Sequence, residues 1–106
     1  MTDISTADAS PQRSFIRHVV FFSARDRADL ETVHRGLSIL QGIPGAQCFE
    51  VSYNRHVDRF SDAVDVVVYA EFEDQAALDR YQRHPLYEES IRIVRPLRDL
   101  RVAADF

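Results

Sequence analysis

The sequence predicts an α+β domain of the ferredoxin-like β-α-β-β-α-β type. In it a four-stranded antiparallel sheet carries helices on one face and pairs with a second copy into a dimeric α/β barrel. Two observations carry this. Segments rich in β-branched and aromatic residues alternate, in that order, with segments of helical periodicity, the second of which is broken by a proline. The central strands are also apolar on both faces, which is more than helices on one side can cover.

The first strand is "FIRHVVFFSA", Phe15 to Ala24. Asp26 is placed to cap a helix in "RADLETVHRGLSILQG", where Leu30, Val33, Leu37 and Leu40 make one apolar stripe. Gly42 and Pro44 stop it. "QCFEVSYN" alternates as the second strand, with Phe49, Val51 and Tyr53 on one side. The polar stretch "RHVDRFSDA" leads to the third strand, "VDVVVYAEFE". Asp74 caps the helix "QAALDRYQR", which turns Ala77, Leu78 and Tyr81 inward. Pro85 cannot continue that helix but suits the first turn of another, and His84 before it is driven out of helical geometry. "RHP" is therefore an elbow. Tyr87, Ile91 and Val94 line the inner side of the next helix, Pro96 ends it, and "LRDLRVAADF" is the fourth strand.

In the third strand Val66, Val68, Ala70 and Phe72 form a wholly apolar row, assigned to the helices. The opposite row is Asp65, Val67, Tyr69 and Glu71, apolar in the middle and charged at its ends. The first strand repeats this, with Ile16, His18, Val20 and Phe22 on one side and Val19 and Phe21 on the other. Leaving Val19, Phe21, Val67 and Tyr69 in water would cost several kcal/mol, at roughly 25 cal/mol per Å². The simplest cover is the same face of a second copy, so these four residues are the expected interface of a homodimer.

Length and composition narrow the function. A chain of 106 residues makes one domain, expected at 15–106 behind a polar, disordered tail at 1–14, "MTDISTADASPQRS". A net charge of −4 argues against nucleic acid as a partner. All 13 basic residues are arginine, which excludes lysine Schiff-base chemistry. Cys48 stands alone, precluding an internal disulfide, and reads as a small buried hydrophobe. The opening residues lack the apolar core of a secretory signal, and no segment has membrane-spanning length, so no membrane association and a cytoplasmic location are expected. The histidines show no metal-ligand spacing, and Gly-rich phosphate loops, GxSxG and CxxC are absent, so neither metal nor cofactor is expected.

"IRHVVFF", "IPGAQCFEVSYN", "AEFEDQAALDRYQRHPLY" and "VRPLRDLRVAADF", in this order, resemble the stress-responsive A/B barrel (Dabb) domains from about Phe15 to Phe106. The resemblance implies a dimeric barrel. A plant branch of that family includes a cofactor-free polyketide cyclase with a pocket between sheet and helices. Its chemistry rests on a tyrosine before the "HP" and a histidine two residues after the proline. Tyr81 matches that tyrosine, and His18 and His84 match two other histidines of the branch. Tyr87 stands where the catalytic histidine would be, a departure from the cyclase pattern.

The candidate catalytic residues are therefore His18, as a neutral base, and Tyr81, as a hydroxyl donor to a developing enolate. Each also has a structural reading: His18 as a satisfied core histidine, Tyr81 as a packed helix residue. Val20, Phe22, Val33, Val66, Val68, His84 and Tyr87 are expected around a ligand pocket. His34 and His56 read as solvated or facing a partner subunit. Three functions fit: a binder of a small apolar carbonyl-bearing or aromatic ligand with cofactor-free cyclase or isomerase chemistry, a non-catalytic stress-associated dimer, and a cofactor-free oxygenase. The last rests on fold analogy alone.

Overall fold

The computed structural model describes residues 14–60 and 62–106, so most of the tail expected at 1–14 lies outside the described residues. Strand β1 (Ile16–Ala24) leads through a 3₁₀ turn (Arg27–Asp29) into α1 (Leu30–Ser38), which tightens into a second 3₁₀ turn (Ile39–Gly42). Strands β2 (Ala46–Tyr53) and β3 (Val66–Phe72) follow, then α2 (Gln75–Arg83), α3 (Pro85–Val94) and β4 (Arg98–Asp105). The four strands are antiparallel in the order β2-β3-β1-β4, the ferredoxin-like arrangement.

Local chemistry sets the element ends. Asp26 accepts from the Ala28 amide at 2.9 Å, so it caps the 3₁₀ turn rather than α1 itself. Asp74 caps α2 by accepting from the Ala77 amide at 2.9 Å. The left-handed residue after α1 is Gly45, with φ of 108°, a backbone angle that side-chain-bearing residues avoid.

The core lies between the helices and one face of the sheet. Strand β3 alternates strictly, with Val66, Val68, Ala70 and Phe72 all at most 1 % exposed. In register, Val20 faces Val68 and Phe22 faces Val66 across the β1–β3 ladder. Leu37, Leu40, Leu78 and Val94 close the core from above. Helices α1 and α3 approach closely at Gly36, whose missing side chain leaves room for Ile93 and Val94. The buried Ser90 hydroxyl donates to the Gly36 carbonyl at 2.8 Å and so ties the two helices together.

Among the described residues, the helices all pack on that one face and leave the opposite face of the sheet open. Val19 stands across from Tyr69 and Ala104, and Phe21 across from Val67 and Val102. These side chains form one contiguous apolar field, of which Val102 is 50 % exposed.

One expectation fails here. Cys48 is exposed, because β2 is an edge strand and Cys48 pairs with Glu71 on the face that the helices leave open. Asp65, at the charged end of its row, is held inside the fold. It is buried at 3 % exposure, accepting from the Ala24 amide at 2.9 Å and from Arg27 at 2.7 Å, and so pins β1 to the start of β3.

Candidate functional site

A cavity of about 250 Å³ opens between the sheet and the helices. Its floor is strand: His18, Val20 and Phe22 from β1, Val68 from β3. Leu37 and Leu40 close one side, and Tyr81 and α3 the other, with Tyr87, Ser90, Ile91 and Val94. Apolar walls around a few polar groups are what small-molecule sites look like, and this volume suits a molecule of one or two rings.

His18 is 2 % exposed. Its Nδ1 donates to a carboxylate oxygen of Asp105 at 2.5 Å, a contact built by the β1–β4 register, in which the two residues face each other. An ionised carboxylate can only accept, so Nδ1 carries a proton, and in the neutral ring Nε2 is the nitrogen with the lone pair. The His18 ring meets Tyr81 edge-on at 6.2 Å and Phe72 at 6.4 Å between centroids.

Tyr81 is 1 % exposed and packs on Phe72 at 4.9 Å and on Tyr87 at 5.4 Å. Among the described residues, none hydrogen-bonds its hydroxyl. Burial, with Tyr87 adding to it, pushes the phenol well above its ordinary value of 10.0, so Tyr81 remains a proton donor at neutral pH. The site therefore joins a base oriented by a carboxylate to a buried, unengaged hydroxyl.

The structure places the expected pocket residues in two groups. Val20, Phe22, Val68 and Tyr87 line the cavity with His18 and Tyr81. Val33, Val66 and His84 do not. Val33 and Val66 are 0 % exposed, sealed on every side by the core. His84 is an N-cap: proline after it fixes an extended backbone (φ −69°, ψ 145°), and its Nδ1 turns back to accept from the Leu86 amide at 3.1 Å. His34 stacks on Tyr53 at 4.3 Å, and His56 lies 3.9 Å from Asp65, both away from the cavity.

The sequence does not single out Asp105, the partner of His18, or the three arginines on the cavity wall, Arg95, Arg98 and Arg101. Asp105 was legible only through strand register, which a single sequence does not give. Arg101 donates to the Tyr87 hydroxyl at 3.4 Å. Burial, then the charges of Arg101 and Arg95, depress the Arg98 guanidinium below its ordinary value. Among the described residues, no group of three or more metal-ligating side chains occurs, and no helix is long and apolar enough to cross a membrane.

Comparison with solved structures matches the fold. A Dabb family protein with a ferredoxin-like fold from Mesorhizobium loti is 27% identical, with a TM-score of 0.73 over 89% of this chain and 96% of that one. A dimeric ferredoxin-like protein of unknown function from Thermobifida fusca is 25% identical, with a TM-score of 0.74 over 93% and 95%. SnoaB, a cofactor-independent oxygenase from Streptomyces nogalater, shares the fold at 19% identity, with a TM-score of 0.65 over 89% and 92%. No curated protein matches the sequence. The family model of the stress responsive A/B barrel domain, Dabb, matches residues 16–106, and the chain belongs to that family.

Proposed function

We propose that this protein is a homodimer in which each subunit binds a small aromatic or carbonyl-bearing molecule and moves a proton on it without a cofactor. The observation that carries the reading is the convergence of His18 and Tyr81 on one cavity, with His18 Nδ1 already engaged by Asp105. His18 Nε2 takes the proton from the carbon next to a ligand carbonyl, and the C–H electron pair moves to the carbonyl oxygen. The enolate oxygen receives a hydrogen bond from the Tyr81 hydroxyl, which burial keeps protonated. Returning the proton at another carbon isomerises the ligand. If the enolate carbon instead attacks a second carbonyl of the same molecule, a ring closes and the new alkoxide takes the proton from His18. Both routes balance without oxidant or metal.

The open apolar face supports the dimer. Val19, Phe21, Val67 and Tyr69 form the centre of a field that the described residues leave uncovered, and the Thermobifida fusca protein of this fold is dimeric. That face is on the other side of the sheet from the cavity, so pairing leaves the cavity free to bind.

The test is exchange of the methyl protons of acetonaphthone for deuterium in heavy water, followed by NMR. Wild type accelerates exchange; His18→Ala abolishes the acceleration and Tyr81→Phe reduces it by about 10- to 100-fold, the scale of losing one oxyanion donor. Sedimentation of each variant checks that the dimer persists. Exchange at the wild-type rate in both variants would overturn the catalytic assignment, and ligand-induced thermal stabilisation without exchange would leave a binding protein.

A further inference from the structure

Three arginines stand on the wall of a cavity otherwise lined mainly by apolar side chains: Arg95 just after α3, and Arg98 and Arg101 on β4. Strict alternation would put Arg98 and Arg101 on opposite faces of a strand, since they are three residues apart. A bulge prevents this. Phe22 pairs with Arg101 while Ala24 pairs with Arg98, so β4 spends one extra residue there and both side chains reach the cavity side. The Ser23 hydroxyl accepts from the Leu100 amide at 2.9 Å and holds the bulged backbone in place.

Nothing within the described chain answers this charge. Among the described residues, no carboxylate lies within 4.0 Å of any of the three guanidinium groups. Partial burial, then the like charges of Arg101 and Arg95, depress Arg98, and no carboxylate of the described residues offsets them. Arginine's planar fork is the group best shaped to receive an oxyanion through paired hydrogen bonds. Arg101, through its contact with the Tyr87 hydroxyl, stands beside the Tyr81–Tyr87 pair.

We propose that Arg98 and Arg101, with Arg95 at the rim, form an oxyanion-head site, and that the ligand of this cavity is a compact amphipathic acid. Its ring or short chain lies against Val20, Phe22 and Val68, and its carboxylate or phosphate is held by the arginines. This rests on the reading of the cavity as a small-molecule site and adds the charge of the molecule that fills it.

The experiment is calorimetric titration of the full chain with naphthoate, naphthyl phosphate and naphthamide, which share a body and differ in the head. Naphthoate or the phosphate is expected to bind at least about tenfold more tightly than the amide, with whichever acid is tighter naming the head. Arg98→Gln with Arg101→Gln should erase the preference while leaving amide binding within about twofold, and raising the salt should weaken only the acids. Arg101→Gln alone serves if the double variant does not fold. Equal binding of all three probes would overturn the anion site and leave the cavity reading standing. No binding of any probe would overturn both. Acid preference retained in the arginine variants would place the anion elsewhere and overturn the assignment.

Discussion

Replacing Gly36 by alanine tests how tightly the cavity wall is set. A Cβ at this position would stand 2.8 Å from Ile93 Cγ2, 2.8 Å from Val94 Cγ2 and 3.4 Å from Ile93 Cβ. Both neighbours are β-branched residues on a helix, with one strongly preferred side-chain rotamer, so they yield only if α3 moves. Overpacking of this kind costs about 1–3 kcal/mol. Alanine returns about 1 kcal/mol of helix propensity. The net is a loss of about 1 kcal/mol, or roughly 4–8 °C in Tm for a domain of this size. Gly42→Ala is the matched control, because its nearest contact is the flexible tip of Leu86 at 3.0 Å, where the side chain can swing aside. Scanning calorimetry at equal protomer concentration reads both. Since α3 also carries Tyr87, Ser90 and Ile91, Gly36→Ala should weaken naphthoate binding as well. A Gly36→Ala protein as stable as wild type would refute the close helix contact and the rigidity of the wall argued from it.

Two further outcomes follow from named groups. Val67→Arg places a charge at the centre of the open sheet face. An unpaired buried charge costs about 3–5 kcal/mol, so sedimentation should show a folded monomer where wild type is a dimer. A persistent dimer would put the interface elsewhere. Tyr81 gives a pH dependence: its folded value is raised above 10.0 by burial, so its share of stability is full below pH 10 and is lost as pH rises through the folded value. Unfolding should therefore become easier by up to about 1.4 kcal/mol per pH unit above pH 10, and Tyr81→Phe should flatten that fall. Parallel alkaline profiles of the two proteins would contradict the burial of an unengaged phenol.

The fold was legible because its signals are local and periodic. The row Val66, Val68, Ala70 and Phe72 announces its buried face by alternation, and Asp74, His84 and Pro85 mark the boundaries of α2 and α3 by cap and proline chemistry. His18 and Tyr81 could be placed inward for the same reason. What the sequence left hidden depends on register and on irregularity. Asp105 meets His18 across 87 positions of chain, and no pattern within either strand points to the other. Val33 and Val66 face inward as the periodicity says, but periodicity cannot separate a core position from a cavity wall. Cys48 shows the same limit, because apolar character does not imply burial on an edge strand whose outer row lies open.

The arginines show the same limit and why it matters for function. Because side chains alternate with a period of two, slipping β4 by one residue against β1 would set Ala104 opposite His18 and turn Asp105 away. The same slip would move Val102 from the open face into the cavity side. The register that completes the His18–Asp105 pair therefore also composes the apolar field for a second subunit. The bulge between Phe22 and Ala24 works against this constraint at one point only. It leaves the pairing of His18 with Asp105 intact, and beyond it returns Arg98 to the same side as Arg101. A regular strand could have supplied the base and its carboxylate, or two arginines three residues apart on opposite faces. Only an irregular one brings both charges to the wall behind which His18 and Tyr81 stand, which is why the chemistry of the head group is read from the bulge rather than from the motif around "RHP".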